Sequence, residues 1–256
     1  MVAKLAVFDI DDTLLNSKKQ LLPSTIASIQ ALKDNQIHVA IATGRNLAMA
    51  RPVIEALDLS DYVLCNGSAA FADRKQVHQH TLSRENLAKL IHAADQQSVD
   101  IVVESLDGLH IHTKPSELTD SVLNTFKAPE LDYAPDYYLH HDVYQAMMFY
   151  PKAVDAKLPH PDEFSFVRFH ECGVDVIPKV GSKAQGIAKL AAALNVAPAN
   201  VVAFGDNQND REMLQSAGTG IAMGNAAPEI KALADLTTTD CDHDGIANGL
   251  KQVGWI

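Results

Sequence analysis

The sequence predicts an α/β protein: a parallel-sheet core domain built from both ends of the chain, with a second, α+β domain inserted between them. Three observations carry this. Short apolar runs alternate with amphipathic helical stretches from Lys4 to Cys65, and the same alternation returns from Lys183 to Met223. Between them the texture changes to closely spaced strand-like runs with hairpin signals, which is not the pattern of a parallel sheet.

Lys4 to Ile10 is apolar but too short for a helix, so it reads as a buried strand ending in acidic residues. Pro23 to Asn35 places Ile26, Ile29 and Leu32 at helical spacing, with Ser24 as the cap and Pro23 just before it. His38 to Ala42 is apolar and β-branched and ends at Thr43-Gly44-Arg45; Leu47 to Leu57 then reads as a helix despite Pro52. Tyr62 to Cys65 is a further strand, closed by Asn66-Gly67-Ser68. Near the other end, Lys183 to Leu194 is helical, Val201 to Phe204 a strand, Asp210 to Ala217 helical and Gly220 to Met223 a strand.

In the middle, strands are expected at Ile101 to Glu104, Leu109 to Thr113, Ala146 to Tyr150, Phe164 to His170 and Gly173 to Pro178. Helices are expected at Arg84 to Gln97 and Glu117 to Thr125, and Asp107-Gly108 is the strongest local turn signal. The expected organisation is a core domain from residues 1–81 and 182–256 with an inserted domain at 82–181. Short connections on both sides favour a hinged lid over free tethering.

At 256 residues, 47% hydrophobic and 21% charged, the chain has globular composition and length enough for a full core. It contains no long apolar run for a membrane span. The N-terminal apolar stretch is interrupted too soon, by Asp9, Asp11 and Asp12, to be a signal peptide. A net charge of −11 disfavours nucleic-acid backbones, which are bound by clustered Lys and Arg. Three widely separated cysteines, Cys65, Cys172 and Cys241, suggest reduced thiols with packing roles in a cytoplasm.

Asp9 and Asp11 leave the end of the first strand together, where parallel sheets place functional groups. Adjacent carboxylates repel unless a cation, a shared proton or hydrogen-bond donors compensate, and Mg2+ is a natural compensator because it prefers oxygen ligands. Taken alone, the run also suits an acidic cap or turn. A second acidic set, Gly205-Asp206-Asn207-Gln208-Asn209-Asp210, follows another strand and is expected to face the same crevice. Asp206 there completes a metal site, with Asp210 and Asn209 serving the metal's water or the loop, or Asp210 simply capping the next helix. Thr43 at a strand end and Lys183 near a helix start offer a hydroxyl and a cation for a phosphoryl group.

Asp9-Ile10-Asp11-Asp12-Thr13-Leu14, Ala42-Thr43-Gly44-Arg45, Ser182-Lys183 and Gly205 to Asp210 resemble, in order, the four motifs of haloacid dehalogenase-type hydrolases. Asn66-Gly67, Gly220 to Ala226 and Asp244-Gly245-Ile246 resemble segments of the Cof-type branch, so the resemblance covers both ends of the chain. It implies a Rossmann-like core with an α/β cap inserted between the second and third motifs, and a Mg2+-dependent phosphatase. By the same resemblance Asp9 is the nucleophile that forms an aspartyl-phosphate, and Asp11 protonates the leaving group and then activates water. The metal is held by Asp9, the Asp11 backbone carbonyl and Asp206, supported by Asp210; Thr43, Gly44, Lys183 and Asn209 bind the phosphoryl group. Two departures stand out: Asp12 replaces a frequent glycine, and Ala184 follows Lys183 where glycine is common.

The inserted region holds His92, His110, His112, His140, His141, His160 and His170, which lack the spacing of a defined metal site and read as ordinary histidines. Its aromatics, Tyr133, Tyr137, Tyr138, Tyr144, Phe149 and Tyr150, read as core. A lid over the site favours a small phosphorylated metabolite, either a sugar phosphate or a phosphorylated cofactor. The alternatives are a sugar phosphomutase, which shares the aspartyl-phosphate step, and a non-catalytic phosphate-responsive module. The oligomeric state is left open.

Overall fold

Strands form where the apolar runs are short and β-branched, and helices where apolar residues recur every third or fourth position. The computed structural model describes residues 2–125 and 129–256. In chain order the first elements are β1 (Leu5–Phe8), α1 (Pro23–Asp34), β2 (His38–Ala42), α2 (Leu47–Ala56), β3 (Asp61–Leu64), β4 (Ala69–Ala72) and β5 (Lys75–Gln79). The middle contains α3 (Arg84–Gln96), β6 (Asp100–Glu104), β7 (Leu109–Ile111), α4 (Glu117–Thr125), β8 (Leu131–Tyr133), α5 (Tyr137–His140), β9 (Gln145–Phe149), β10 (Phe164–His170) and β11 (Gly173–Pro178). The last part adds α6 (Lys183–Ala193), β12 (Val201–Gly205), α7 (Arg211–Ser216), β13 (Thr219–Ala222), α8 (Pro228–Lys231), β14 (Leu236–Thr237) and α9 (Gly245–Gln252).

The chain divides into two compact units: Met1–Arg45, Ala50–Gln79 and Ser182–Ile256 form the first, Asn46–Met49 and His80–Gly181 the second. The first is built on one sheet of order β14-β13-β12-β1-β2-β3-β4-β5. It is parallel from β14 to β3, and β4 and β5 extend it antiparallel. Neither of these two strands is expected from the sequence, because β4 is mostly alanine and β5 is polar and largely exposed. β1 lies between β12 and β2, with Phe8 opposite Phe204 on one side and Ile41 on the other. Helices cover both faces, so the central strands read as continuous apolar runs without alternation. On one face Ile187, Leu190 and Ala191 of α6 pack against Val7, Ala40, Val63 and Ala203. The next residue along β12, Phe204, points the other way and meets α9 at Gly249, where a Cβ would sit 2.5 Å from its ring.

Two local expectations change. Pro23 is the first helical residue of α1 and Leu22 the cap, while Ser24 donates its hydroxyl to Asp244. The buried stripe of α1 is Thr25, Ser28, Ile29 and Leu32, which leaves Ile26 outside it and 46% exposed.

The second unit has its own six-stranded sheet, of order β10-β11-β9-β6-β7-β8, antiparallel except where β7 meets β8. Leu87, Leu90, Ile91 and Ala94 of α3 cover one face, packing on Ile101, Val103, Met148, Tyr150 and Val176. Val122 and Leu123 of α4 pack on the other, against Val102, Ile111, Met147 and Phe149. The hairpin between β6 and β7 falls where Asp107-Gly108 indicated, but Gly108 does not carry it through a positive φ. The Ser105 hydroxyl closes the turn by accepting the Asp107 and Gly108 N–H groups at 3.1 and 3.2 Å. Tyr144, Phe149 and Tyr150 are core residues, whereas Tyr133 is 61% exposed. The His110 ring stacks on Tyr137, and His112 lies beyond the end of β7 with Nδ1 against the Pro135 carbonyl.

Candidate active site

The site of the first unit lies at the carboxyl ends of β12, β1, β2 and β3, where the chain leaves the sheet into loops. The Asp9 N–H still bonds the Phe204 carbonyl at 3.0 Å, which extends the β1–β12 ladder by one residue and fixes the start of the acidic loop. The chain then makes a wide turn, with Leu14 N–H bonding the Asp9 carbonyl and Leu15 N–H the Ile10 carbonyl. Asp12 sits inside this turn at φ +56, in the left-handed region that glycine enters freely and Asp tolerates. That conformation explains why Asp can stand at this position. Its carbonyl accepts the Asn225 side-chain amide at 2.8 Å, which ties the turn to the loop after β13.

Lys183 opens α6 and is fully buried, with Nζ 2.7 Å from Asp9 Oδ1 and 2.7 Å from Asp210 Oδ1. Burial opposes the Lys183 charge, but the two carboxylates hold its pKa above the ordinary value. The other oxygen of Asp210 accepts the backbone N–H groups of Asp206 and Asn207 at 2.9 and 3.0 Å. Asp210 therefore does not cap α7 with its side chain; it closes the loop before that helix while holding Lys183. Gly205 permits this, because a Cβ there would lie 2.6 Å from the Asp210 side chain. Asp206 accepts the Thr13 hydroxyl at 2.8 Å.

Asp9, Asp206 and Asp210 each place a carboxylate oxygen within 4.8 Å of the others. Lys183 compensates one of these three charges. The remainder shows in the proton affinities: burial, opposed by Lys183 and reinforced by Asp210, pushes Asp9 up to about 7. Burial, opposed by Thr13 and reinforced by Asp210 and Asp12, pushes Asp206 up to about 6. An all-oxygen donor set with uncompensated negative charge fits a hard divalent cation such as Mg2+.

Asp11 stands outside this trio. Its two oxygens are gripped by Arg45, Nε to Oδ2 at 2.9 Å and Nη2 to Oδ1 at 2.7 Å, with Lys19 a further 3.4 Å contact. Burial raises the Asp11 pKa, but Arg45 and Lys19 together hold it below the ordinary carboxylate value. Thr43 is buried, and its hydroxyl accepts the Arg45 N–H at 3.2 Å. Asn209 is exposed and donates its side-chain amide to Asn66 Oδ1 at 3.1 Å. Gly44 packs against that same Asn66 side chain.

The first unit thus collects buried Asp9, Lys183 and Asp210 and half-buried Asp206 into one cluster, while Asp11, Thr43, Gly44 and Asn209 stand on its loops with other partners. Sequence reasoning gave no role to Arg45, Thr13, Asn66 or Asn225. Arg45 is separated from Asp11 by 34 positions, so no local spacing joins them. The one available signal was its place two residues after Thr43.

A parallel sheet with oxygen donors and a buried lysine at its carboxyl edge suits a protein that handles phosphoryl groups. Comparison with known proteins supplies the family. A family description, haloacid dehalogenase-like hydrolase, matches residues 6–250, so the chain belongs to that family. YkrA of Bacillus subtilis (strain 168) is 32% identical over 259 residues, covering 99% of each chain. The pyridoxal phosphate phosphatase YbhA of Escherichia coli (strain K12) is 29% identical over 278 residues, covering 96% of this chain and 97% of its own. Among solved structures, a hypothetical protein of Geobacillus kaustophilus HTA426 superposes with a TM-score of 0.96 at 36% identity, covering 99% of this chain and all of its own. The protein is a phosphoric monoester hydrolase. No helix of the described residues is long and apolar enough to cross a membrane.

Proposed function

We propose that the protein is a Mg2+-dependent phosphatase of small phosphorylated metabolites, working through an aspartyl-phosphate on Asp9. The observation that carries this reading is the trio of Asp9, Asp206 and Asp210 at the carboxyl edge of the sheet, with buried Lys183 bridging Asp9 and Asp210. Asp9, Asp206 and the Asp11 carbonyl would hold Mg2+, supported by Asp210. When bound, the ion offsets the repulsion between the carboxylates and an incoming phosphate dianion.

An Asp9 oxygen attacks phosphorus, and the bond from phosphorus to the ester oxygen breaks. Asp11 delivers a proton to that departing oxygen. In the second half Asp11 takes a proton from water, the water oxygen attacks phosphorus, and the Asp9–phosphorus linkage breaks to free inorganic phosphate. Thr43, the Gly44 backbone, Lys183 and Asn209 orient the phosphoryl oxygens. Arg45 holds Asp11 in its charged form, so the acid step requires Asp11 to leave that pairing and take up a proton.

The E. coli relative, a pyridoxal phosphate phosphatase, supports a small phosphorylated metabolite as the substrate. A phosphorylated cofactor or a sugar phosphate is the substrate in this reading. The free thiols Cys65, Cys172 and Cys241 suit a reducing cytoplasm. The test is phosphate release from pyridoxal phosphate, flavin mononucleotide, sugar phosphates and nucleotides, with and without Mg2+, comparing wild type with Asp9→Asn. The expected result is release by wild type alone, lost reversibly on chelation. Release by folded Asp9→Asn, or release insensitive to chelation, refutes the mechanism; transfer to a sugar without free phosphate indicates a mutase.

A further inference from the structure

The geometry points to Asn66 as a positioning residue that clips together the loops carrying Gly44, Lys183 and Asn209 and so holds the phosphoryl-binding groups in register. The inference rests on the phosphatase reading above. It begins from backbone conformation: Cys65, Asn66 and Gly67 have φ of +50, +52 and +98, three successive residues in the left-handed region. Glycine and asparagine tolerate that region, whereas Cys rarely enters it. A run of this kind persists only where surrounding contacts hold it.

Those contacts reach three separate loops. The Cys65 N–H bonds the Arg45 carbonyl and the Asn66 N–H the Thr43 carbonyl, each at 3.0 Å, which fastens the segment to the loop after β2. Gly67 lies against the entry to α6, where a Cβ would sit 2.0 Å from the Ser182 carbonyl oxygen and 3.0 Å from the Lys183 nitrogen. Gly186, one turn into α6, completes that approach, since a Cβ there would be 2.8 Å from the Gly67 Cα. The third loop is met by the Asn66 side chain, whose Oδ1 accepts the Asn209 amide at 3.1 Å.

Gly44 supplies the independent argument. Its φ is not positive, so backbone conformation does not call for glycine there. The two residues are instead in close contact: a Cβ on Gly44 would lie 3.2 Å from Asn66 Oδ1 and 3.3 Å from Asn66 Nδ2, a tight approach. The Asn66 amide therefore rests on the Gly44 backbone while fixing the Asn209 amide. A turn needed only to connect β3 to β4 would have no use for a side chain reaching two loops that carry phosphoryl-binding groups.

The test uses Asn66→Gly, which removes the amide but keeps a residue at ease with positive φ. Equilibrium binding of orthovanadate in the presence of Mg2+, measured by calorimetry, is read beside kcat and KM for the best ester. The expected result is an unchanged Tm with vanadate affinity weakened and KM raised, each roughly tenfold, the scale of one lost hydrogen bond to a phosphoryl-binding group. Asn209→Ala is expected to weaken vanadate binding similarly, and Asn66→Gly combined with Asn209→Ala to be no weaker than Asn209→Ala alone. Vanadate affinity within about twofold of wild type in folded Asn66→Gly overturns the proposal. So do additive losses in the double variant, which also decide the matter if Asn66→Gly lowers Tm. Because vanadate binding is read without turnover, a wild type that binds vanadate and releases no phosphate refutes the phosphatase reading and still decides the role of Asn66.

Discussion

Glu104→Gln isolates the cost of a buried charge in the second unit. Glu104 is 3% exposed at the end of β6, where Gln145 donates to one oxygen and the Asn46 N–H also reaches the carboxylate. Burial, opposed by the Gln145 donor and reinforced by the Asp175 charge, pushes its pKa from 4.5 up to about 8. In the folded protein the group thus keeps its proton over a pH range in which the unfolded chain has released it. Below the unfolded value of 4.5 both states are protonated and there is no penalty; as pH rises the unfolded chain loses its proton first, so stability falls until the folded pKa is passed. At 1.36 kcal/mol per pKa unit, the penalty grows by about 3 kcal/mol between pH 5 and pH 8. Glutamine resembles the neutral acid but has one acceptor oxygen for two donors, a pH-independent loss of about 1 kcal/mol. Urea unfolding of wild type and Glu104→Gln at pH 5, 7 and 8 separates the two effects. The variant is expected to be slightly weaker at pH 5 and more stable at pH 8. A stability difference constant across that range refutes the argument that Glu104 is buried uncharged.

Two other substitutions test the first unit. Lys183→Met leaves Asp9 and Asp210 buried without their cation and is expected to cost about 3–5 kcal/mol near neutral pH by urea unfolding, less in acid where Asp9 takes up its proton. A change under about 1 kcal/mol contradicts the view that Lys183 holds the site together. Gly67→Ala forces a side chain into a residue at φ +98 and against the Ser182 carbonyl, and should lower stability by at least about 2 kcal/mol, read as a fall in Tm. An unchanged Tm would mean that α6 shifts freely from the β3–β4 connection.

The sequence by itself determined the elements whose physics is local. β1, β2, β3 and β12 are visible because a strand buried on both faces is a short apolar run, and α4 begins at Glu117, where the sequence indicates a helix. Acidic residues directly after β1 and β12 showed where oxygen donors would gather, since the carboxyl ends of adjacent parallel strands open on one edge. Only the tertiary structure decided the partners. That Lys183 bridges Asp9 and Asp210, that Arg45 grips the Asp11 carboxylate, and that Asn66 joins Gly44 to Asn209 are contacts between segments far apart in the chain. No spacing rule encodes them, because side-chain pairing depends on which loops the sheet order brings together. The same holds for β4 and β5, whose alanine-rich and polar sequences pair only because β3 already presents an edge to them.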